Sequence, residues 1–282
     1  MSAPAAFAER EFSVIKVARE IDESATYWTT GGGSLLYAIL LARMLGYAPN
    51  VVYVTEDGVI APEPVLPFPA MGAMTSSQSG YRAAYWGTMN TAGDHASLGF
   101  MDYGILGSLQ IDQWGNINST ILGGSYEEWS RRYGGPGGAQ TIAAQCWHTI
   151  LMTEQQKRKF VERVDFISSP GYLDGTEGAR ERAGLPANTG PYRVYTPWAT
   201  YDYENRRLRL IERSPWVSVD EILEECEYKP LVAPEVKVTE PPTDLELDTY
   251  RSRLDVRGQT MDRGVWLVLG DDDKYQRQEA GA

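Results

Sequence analysis

Cysteine and histidine are nearly absent from this chain of 282 residues, which has only Cys146, Cys226, His95 and His148. Two isolated cysteines build no disulfide framework, and four such residues so far apart give no zinc-ligand spacing, so no metal centre is expected. There is no nucleophile elbow with a histidine partner and no Walker-type loop, which removes support from hydrolase-triad and nucleotide-hydrolysing readings. Positive charge is scarce as well: 26 Lys and Arg face 38 Asp and Glu, for a net charge of −12. With no basic stripe to neutralise phosphates, neither nucleic acid nor an anionic membrane is an expected partner. No run of about 18 apolar residues occurs, and Met1 to Phe7 lack the basic start of a signal peptide, so a cytoplasmic protein is expected.

What is present is a globular composition, 43% hydrophobic, punctuated by 28 glycines and 16 prolines. The segment Ala25–Thr30 reads as a strand and Gly31-Gly32-Gly33 as a sharp exit from it. Ser34 can cap a following helix, whose apolar residues from Leu35 to Leu45 recur at near-helical spacing until Gly46 stops it. Val51–Val54 is too short and too β-branched for a helix, so Ala25 to Val54 makes a strand–helix–strand crossover with parallel strands. Thr55-Glu56-Asp57-Gly58 then carries a carboxylate just past the end of the second strand, where an open α/β sheet places its chemistry.

Upstream, Glu9 to Asp22 reads as an amphipathic helix covering the sheet, with Phe12, Val14, Val17, Ala18 and Ile21 on one side. The Pro-rich stretch from Ala61 to Gly80 reads as a long loop close to Glu56, either shaping a pocket or serving as a plain connection. Gly104 to Asp112 reads as one apolar strand, turning through Gln113–Asn116 and returning along Ile117–Thr120 as a hairpin. Gly134 to Gly138 leads into a short helical run, Ala139–Ala144, and then the strand Thr149–Met152. A glycine turn that opens a helix presents free backbone N–H groups suited to a carboxylate, phosphate or oxyanion, although such turns also serve tight packing.

Beyond this, Val161–Ile167 reads as a strand, Glu204-Asn205 as the centre of a hairpin, and Ser218 with Glu221 as the capping box of a helix through Glu225. Lys157, Arg158 and Lys159 read as a solvated helix face in preference to a binding site for a phosphorylated cofactor, His148 as a hydrogen-bonded core histidine rather than a catalytic one, and His95 as a loop residue. The cluster Tyr81, Tyr85 and Trp86 can wall a pocket or simply be core. The fold class is α/β, an open and mostly parallel sheet flanked by helices, in residues 1–229; residues 230–282 read as an extended arm and acidic tail.

These residues together resemble a known family. Thr55-Glu56-Asp57-Gly58 is similar to the Ser-Glu-Asn-Gly or Glu-Ser-Gly signature of the β subunits of family I CoA-transferases, with Asp57 where that family has Asn or Ser. Gly107–Asp112 with Trp114–Thr120 resembles its strand and hairpin, and Gly135-Pro136-Gly137-Gly138-Ala139 its glycine loop. Lys157–Phe160, Ser168–Gly175 and Arg180–Pro186 resemble the glutaconate CoA-transferase β subunit in particular.

The resemblance implies half an enzyme, working beside a homologous α subunit in an α/β pair, α2β2 or higher, with the active site at their junction. It implies acyl-CoA and a carboxylic acid as substrates, coenzyme A as co-substrate and no permanently bound cofactor. It places the nucleophile on Glu56 and an oxyanion or CoA-binding role on the loop of Gly135, Gly137 and Gly138. Gly31, Gly32 and Gly33 correspond to a glycine turn near the substrate, or simply to the strand exit. Gln110 and Asn118 can orient the carboxylate, line the pocket or stabilise their turn. Two rival readings remain: a CoA-thioester hydrolase or ring-opening enzyme of the same fold, and a non-catalytic partner subunit.

Overall fold

The computed structural model describes residues 6–29, 33–67, 77–256, 258, 265–270, 272 and 274–279. Its centre is a ten-stranded sheet. From one edge to the other the strands are Leu231–Val238, Arg207–Arg213, Ala199–Glu204, Gly190–Tyr195, His148–Met152, Tyr103–Leu106, Thr26–Thr29, Val52–Val54, Val59–Ile60 and Tyr85–Trp86. The run from Gly190–Tyr195 to Val52–Val54 is parallel throughout, as the crossover from Ala25 to Val54 requires. Antiparallel strands close both sides of it.

Parallel strands are buried on both faces, and alternate residues divide between two cores. Tyr27, Tyr53, Ile105 and Ile150 pack under the helices Glu9–Arg19 and Gly33–Leu45. Trp28, Val54, Leu106 and Leu151 pack on the opposite face, with Ile142, Ala143 and Cys146 of the Ala139–Gln145 region and Ala92 and Ala96 of the helix Met89–Ser97. Helix Gly33–Leu45 is apolar nearly all round because it lies inside the molecule: Leu35 to Ala42 are all buried. Gly104 lets helix Ala139–Gln145 settle close to the sheet, since a Cβ there would lie 2.0 Å from Cγ2 of Ile142.

Several sequence expectations change. The run from Gly104 to Asp112 is two elements, because after Leu106 the chain leaves the sheet and Gln110–Ile111 pairs with Ile117–Asn118 in a separate two-stranded ribbon. Val161–Ile167 is irregular and Lys157–Lys159 is not helical; there the chain touches the ribbon through a bridge between Ile111 and Phe160. His95 lies in the helix Met89–Ser97.

The stretch beginning at Pro230 supplies the sheet's edge strand, Leu231–Val238, and so continues the body of the molecule. Further on, helix Asp244–Thr249 is tied to the first helix by a fork from Arg19 to Glu246, with both nitrogen–oxygen distances 2.7 Å. Arg251 forks in the same way onto Glu11 at 2.7 and 2.8 Å. Val265–Leu269 and Tyr275–Glu279 form a hairpin whose first strand pairs with Ala6–Ala8.

Candidate active site

Strand Val52–Val54 ends in a hydrogen-bonded turn, with the Gly58 N–H donating to Thr55 O at 3.0 Å and the Thr55 N–H to Val59 O at 3.0 Å. The chain then returns antiparallel along Val59–Ile60, so Glu56 sits at the tip of a tight hairpin and is half-buried. This two-residue return strand was not legible in the sequence. Thr55 is wholly buried; its hydroxyl donates to the Asp57 carboxylate and accepts the Val59 N–H at 3.2 Å, clipping the turn from inside. Gly58 has φ +87°, and a Cβ there would lie 1.9 Å from the carbonyl oxygen of Thr88. The turn thus rests directly on the residue that precedes helix Met89–Ser97.

The glycine loop lies at the same end of the sheet. Gly135 and Gly137 have φ +89° and +55°, and Gly138 precedes helix Ala139–Gln145. The space beside Gly137 is open, with no atom within 4 Å of a would-be Cβ. A Cβ on Gly138 would lie 3.9 Å from Cζ2 of Trp28, and Trp28 pairs in register with Val54, two residues before Glu56. The helices behind the two loops also meet, through the Ser97 hydroxyl donating to Oε1 of Gln145 at 2.6 Å. Gly31 and Gly32 lie outside the described residues, and Gly33 opens its helix.

Gln110 and Asn118 are buried and face each other across the ribbon, with Nδ2 of Asn118 donating to Oε1 of Gln110 at 2.7 Å. Gln110 also bonds Asp165, while Asn118 bonds the backbone of Thr120 and Ile121. These bonds tie both amides into the ribbon and to Asp165 of the segment that flanks it. Nearby Asn116 bonds the Asp112 carboxylate and accepts the N–H groups of Gly171 and Leu173, latching the 168–175 loop to the ribbon.

His148 stands at the N-terminal end of its strand, away from Glu56, with its ring between Tyr103 and Tyr192. Burial lowers its pKa from the ordinary imidazole value. Burial also pushes the Cys146 and Cys226 thiols up to about 12, which leaves neither as a nucleophile. Tyr81, Tyr85, Trp86 and Met89 are about half exposed or more, at 47, 55, 53 and 63%, and so lie at the surface rather than in the core, Tyr85 and Trp86 on the strand that pairs with Val59–Ile60. Of the basic run, Lys157 and Arg158 are exposed, whereas Lys159 turns inward to Ser108 O, Thr153 Oγ1 and Glu154 across the ends of the two central strands. Among the described residues no three His, Cys, Asp or Glu side chains gather as metal ligands, and no helix is long and apolar enough to cross a membrane.

Residues 71–225 match the family model for coenzyme A transferase. The chain is 31% identical over 256 residues to the B subunit of 3-oxoadipate CoA-transferase from Pseudomonas knackmussii, covering 88% of this chain and 93% of that one. It is 29% identical over 241 residues to the B subunit of glutaconate CoA-transferase from Acidaminococcus fermentans, covering 83% of this chain and 88% of the relative. The crystal structure of the Acidaminococcus fermentans glutaconate coenzyme A-transferase superposes with a TM-score of 0.80 at 25% identity, over 90% of this chain and 96% of the other. The chain belongs to the coenzyme A transferase family, as a β-type subunit.

Proposed function

We propose that this chain is the nucleophile-bearing subunit of a heteromeric CoA-transferase, with Glu56 as the covalent relay. One observation carries the reading: a half-buried glutamate on a clipped turn at the carboxyl end of a parallel strand, at the same end of the sheet as an open glycine loop. The Glu56 carboxylate attacks the thioester carbonyl of the donor acyl-CoA and expels CoA thiolate, leaving an acyl-glutamyl anhydride. The thiolate attacks the glutamyl carbonyl, releasing the donor acid as its carboxylate and leaving a glutamyl-CoA thioester. An acceptor carboxylate then attacks that carbonyl and the two steps run in reverse, so the acceptor leaves as acyl-CoA and Glu56 is restored. Each tetrahedral intermediate carries an oxyanion that the N–H groups around Gly137 and Gly138 are suited to receive.

The reaction requires water to be kept out, and a turn at the molecular surface does not do that alone. The exposed aromatics Tyr81, Tyr85 and Trp86 on and around the strand next to this turn fit burial by a homologous α subunit, and the Pseudomonas and Acidaminococcus relatives are themselves each named as one of an enzyme's subunits. Both are also named for dicarboxylic acids, so monothioesters of such acids are the first donors to try.

The test is the intact mass of this chain, co-expressed with a CoA-transferase α-type partner and mixed with a panel of acyl-CoA esters, for the wild type and Glu56→Gln. A CoA-sized increase on the wild type alone supports the relay. Free acid and CoA without an adduct would move the reading to a thioester hydrolase, and a Glu56→Gln complex of full activity would sink the glutamyl mechanism.

A further inference from the structure

Between the ribbon and the glycine loop the chain makes a second hairpin, Ile121–Gly124 with Trp129–Arg132, that the CoA-transfer chemistry leaves unused. It projects into solvent, with every residue from Gly123 to Arg132 exposed. Its base is held firmly: the Gly123 N–H donates to Asp165 at 2.9 Å, the Ser130 hydroxyl to Gly123 O at 3.1 Å, and the Tyr133 N–H to Thr120 O at 2.8 Å. The outgoing strand runs through Tyr133 directly into Gly134 and the glycine loop.

Alternation along that strand puts Trp129, Arg131 and Tyr133 on one face, at rungs about 6.8 Å apart. The Arg131 guanidinium lies over the Tyr133 ring at 5.0 Å, and on the other face Arg132 lies over Tyr126 at 5.6 Å. Stacking on a ring fixes the guanidinium plane while its N–H edge stays free to meet an oxyanion. Neither arginine makes an ion pair among the described residues, in a chain of net charge −12. Trp129 is 44% exposed on the same strand. An exposed aromatic plane next to an unpaired, pre-oriented guanidinium is the chemistry that recognises a nucleotide, with the base stacked and the phosphate paired.

We propose that the Trp129–Arg131–Tyr133 face of this hairpin grips the nucleotide end of coenzyme A, Arg131 pairing with a phosphate and Trp129 stacking on the adenine, so that the pantetheine arm runs along the glycine loop towards Glu56. The proposal rests on the transferase reading for the position of the thiol end, and it is a binding role that leaves the transfer steps unchanged. The glycine loop then has two neighbours with different tasks: the Glu56 turn handles the thioester, and the hairpin supplies affinity.

The experiment compares the α/β complex carrying wild type, Arg131→Ala, Arg131→Lys or Trp129→Ala, with an acyl-CoA and with the same acyl group on pantetheine, which lacks the nucleotide. Calorimetry of free CoA and pantetheine gives a readout that needs no turnover. Expected for Arg131→Ala is a KM for acyl-CoA raised about tenfold, which is about 1.4 kcal/mol. Its kcat and its KM for the acyl-pantetheine stay unchanged, Arg131→Lys recovers part of the loss, and the difference shrinks at high salt. Trp129→Ala weakens CoA binding without altering pantetheine binding. Equal KM increases for both substrates, unchanged CoA binding, or loss of the α/β complex on size exclusion would each overturn the proposal, the last by making the face a subunit contact. Because the comparison reads affinity, it stands or falls separately from the Glu56→Gln mass experiment.

Discussion

Gly58 meets the backbone of Thr88 so closely that a Cβ on it would lie 1.9 Å from the Thr88 carbonyl oxygen, and its φ of +87° already lies in the region that side chains avoid. The hairpin tip carrying Glu56 is therefore placed by a backbone-to-backbone contact, with no side chain able to give way. Gly58→Ala should cost about 1–3 kcal/mol in strain and move the tip. Turnover should fall further than the stability loss accounts for, read as kcat at a temperature where far-UV circular dichroism shows the variant folded. A variant with wild-type kcat would show that the tip does not need this seat.

Asn116 is 1% exposed and joins the ribbon to the 168–175 loop through its amide. Asn116→Ala strands the Asp112 carboxylate and the N–H groups of Gly171 and Leu173 inside the protein. The expected loss is about 2–4 kcal/mol, seen as a lower urea midpoint with an unchanged slope. An unchanged midpoint would mean that the latch forms but adds nothing.

Lys16 is 3% exposed on the first helix, its ammonium donating to Thr196 O at 3.1 Å with Glu212, Arg19 and Glu20 as its charged neighbours. Burial pushes its pKa down to about 7. Since the unfolded chain holds the proton up to an ordinary lysine value, the penalty is full below pH about 7 and fades as pH rises towards about 10.5. Lys16→Met should therefore raise Tm most at pH 6 and progressively less above pH 7. A gain that is constant from pH 6 to pH 10 would show that the effect is packing alone.

Glu246 is the opposite case. Burial by itself would raise its carboxyl, yet the Arg19 fork and the Thr243 cap hold it below the usual carboxylate range. The stability this supplies is present above the ordinary glutamate value and is lost as pH falls through the lower folded one. Arg19→Met leaves a carboxylate 1% exposed without its cation, at a cost of about 3 kcal/mol or more near neutrality. The gap between wild type and variant should narrow as acid protonates Glu246; a gap that stays the same at pH 7 and at pH ~3 would contradict the assignment.

The crossover from Ala25 to Val54 was legible because it switches from period two to near-helical spacing and back, with glycine at each change. The position of Glu56 just past a parallel strand was legible because it follows that unit. Val59–Ile60 was not, since two residues carry no period and its partners lie on both sides, one as distant as Trp86. The run from Gly104 to Asp112 misled because apolarity reports burial without saying which sheet provides it. The edge strand Leu231–Val238, with its proline and its exposed valines, has the composition of an arm and the hydrogen bonds of a strand. The bond between Gln110 and Asn118 comes from their pairing across the ribbon, which their spacing permits but does not dictate.

The pairing of Ala6–Ala8 with Val265–Leu269 has a consequence in time. During synthesis the strand Ala6–Ala8 emerges more than two hundred and fifty residues before the strand that completes it. Glu11, buried at 0% exposure, likewise waits for Arg251. The central sheet can assemble from its local crossovers before these distant pairings form, and the seal over the first helix waits for Val265–Leu269.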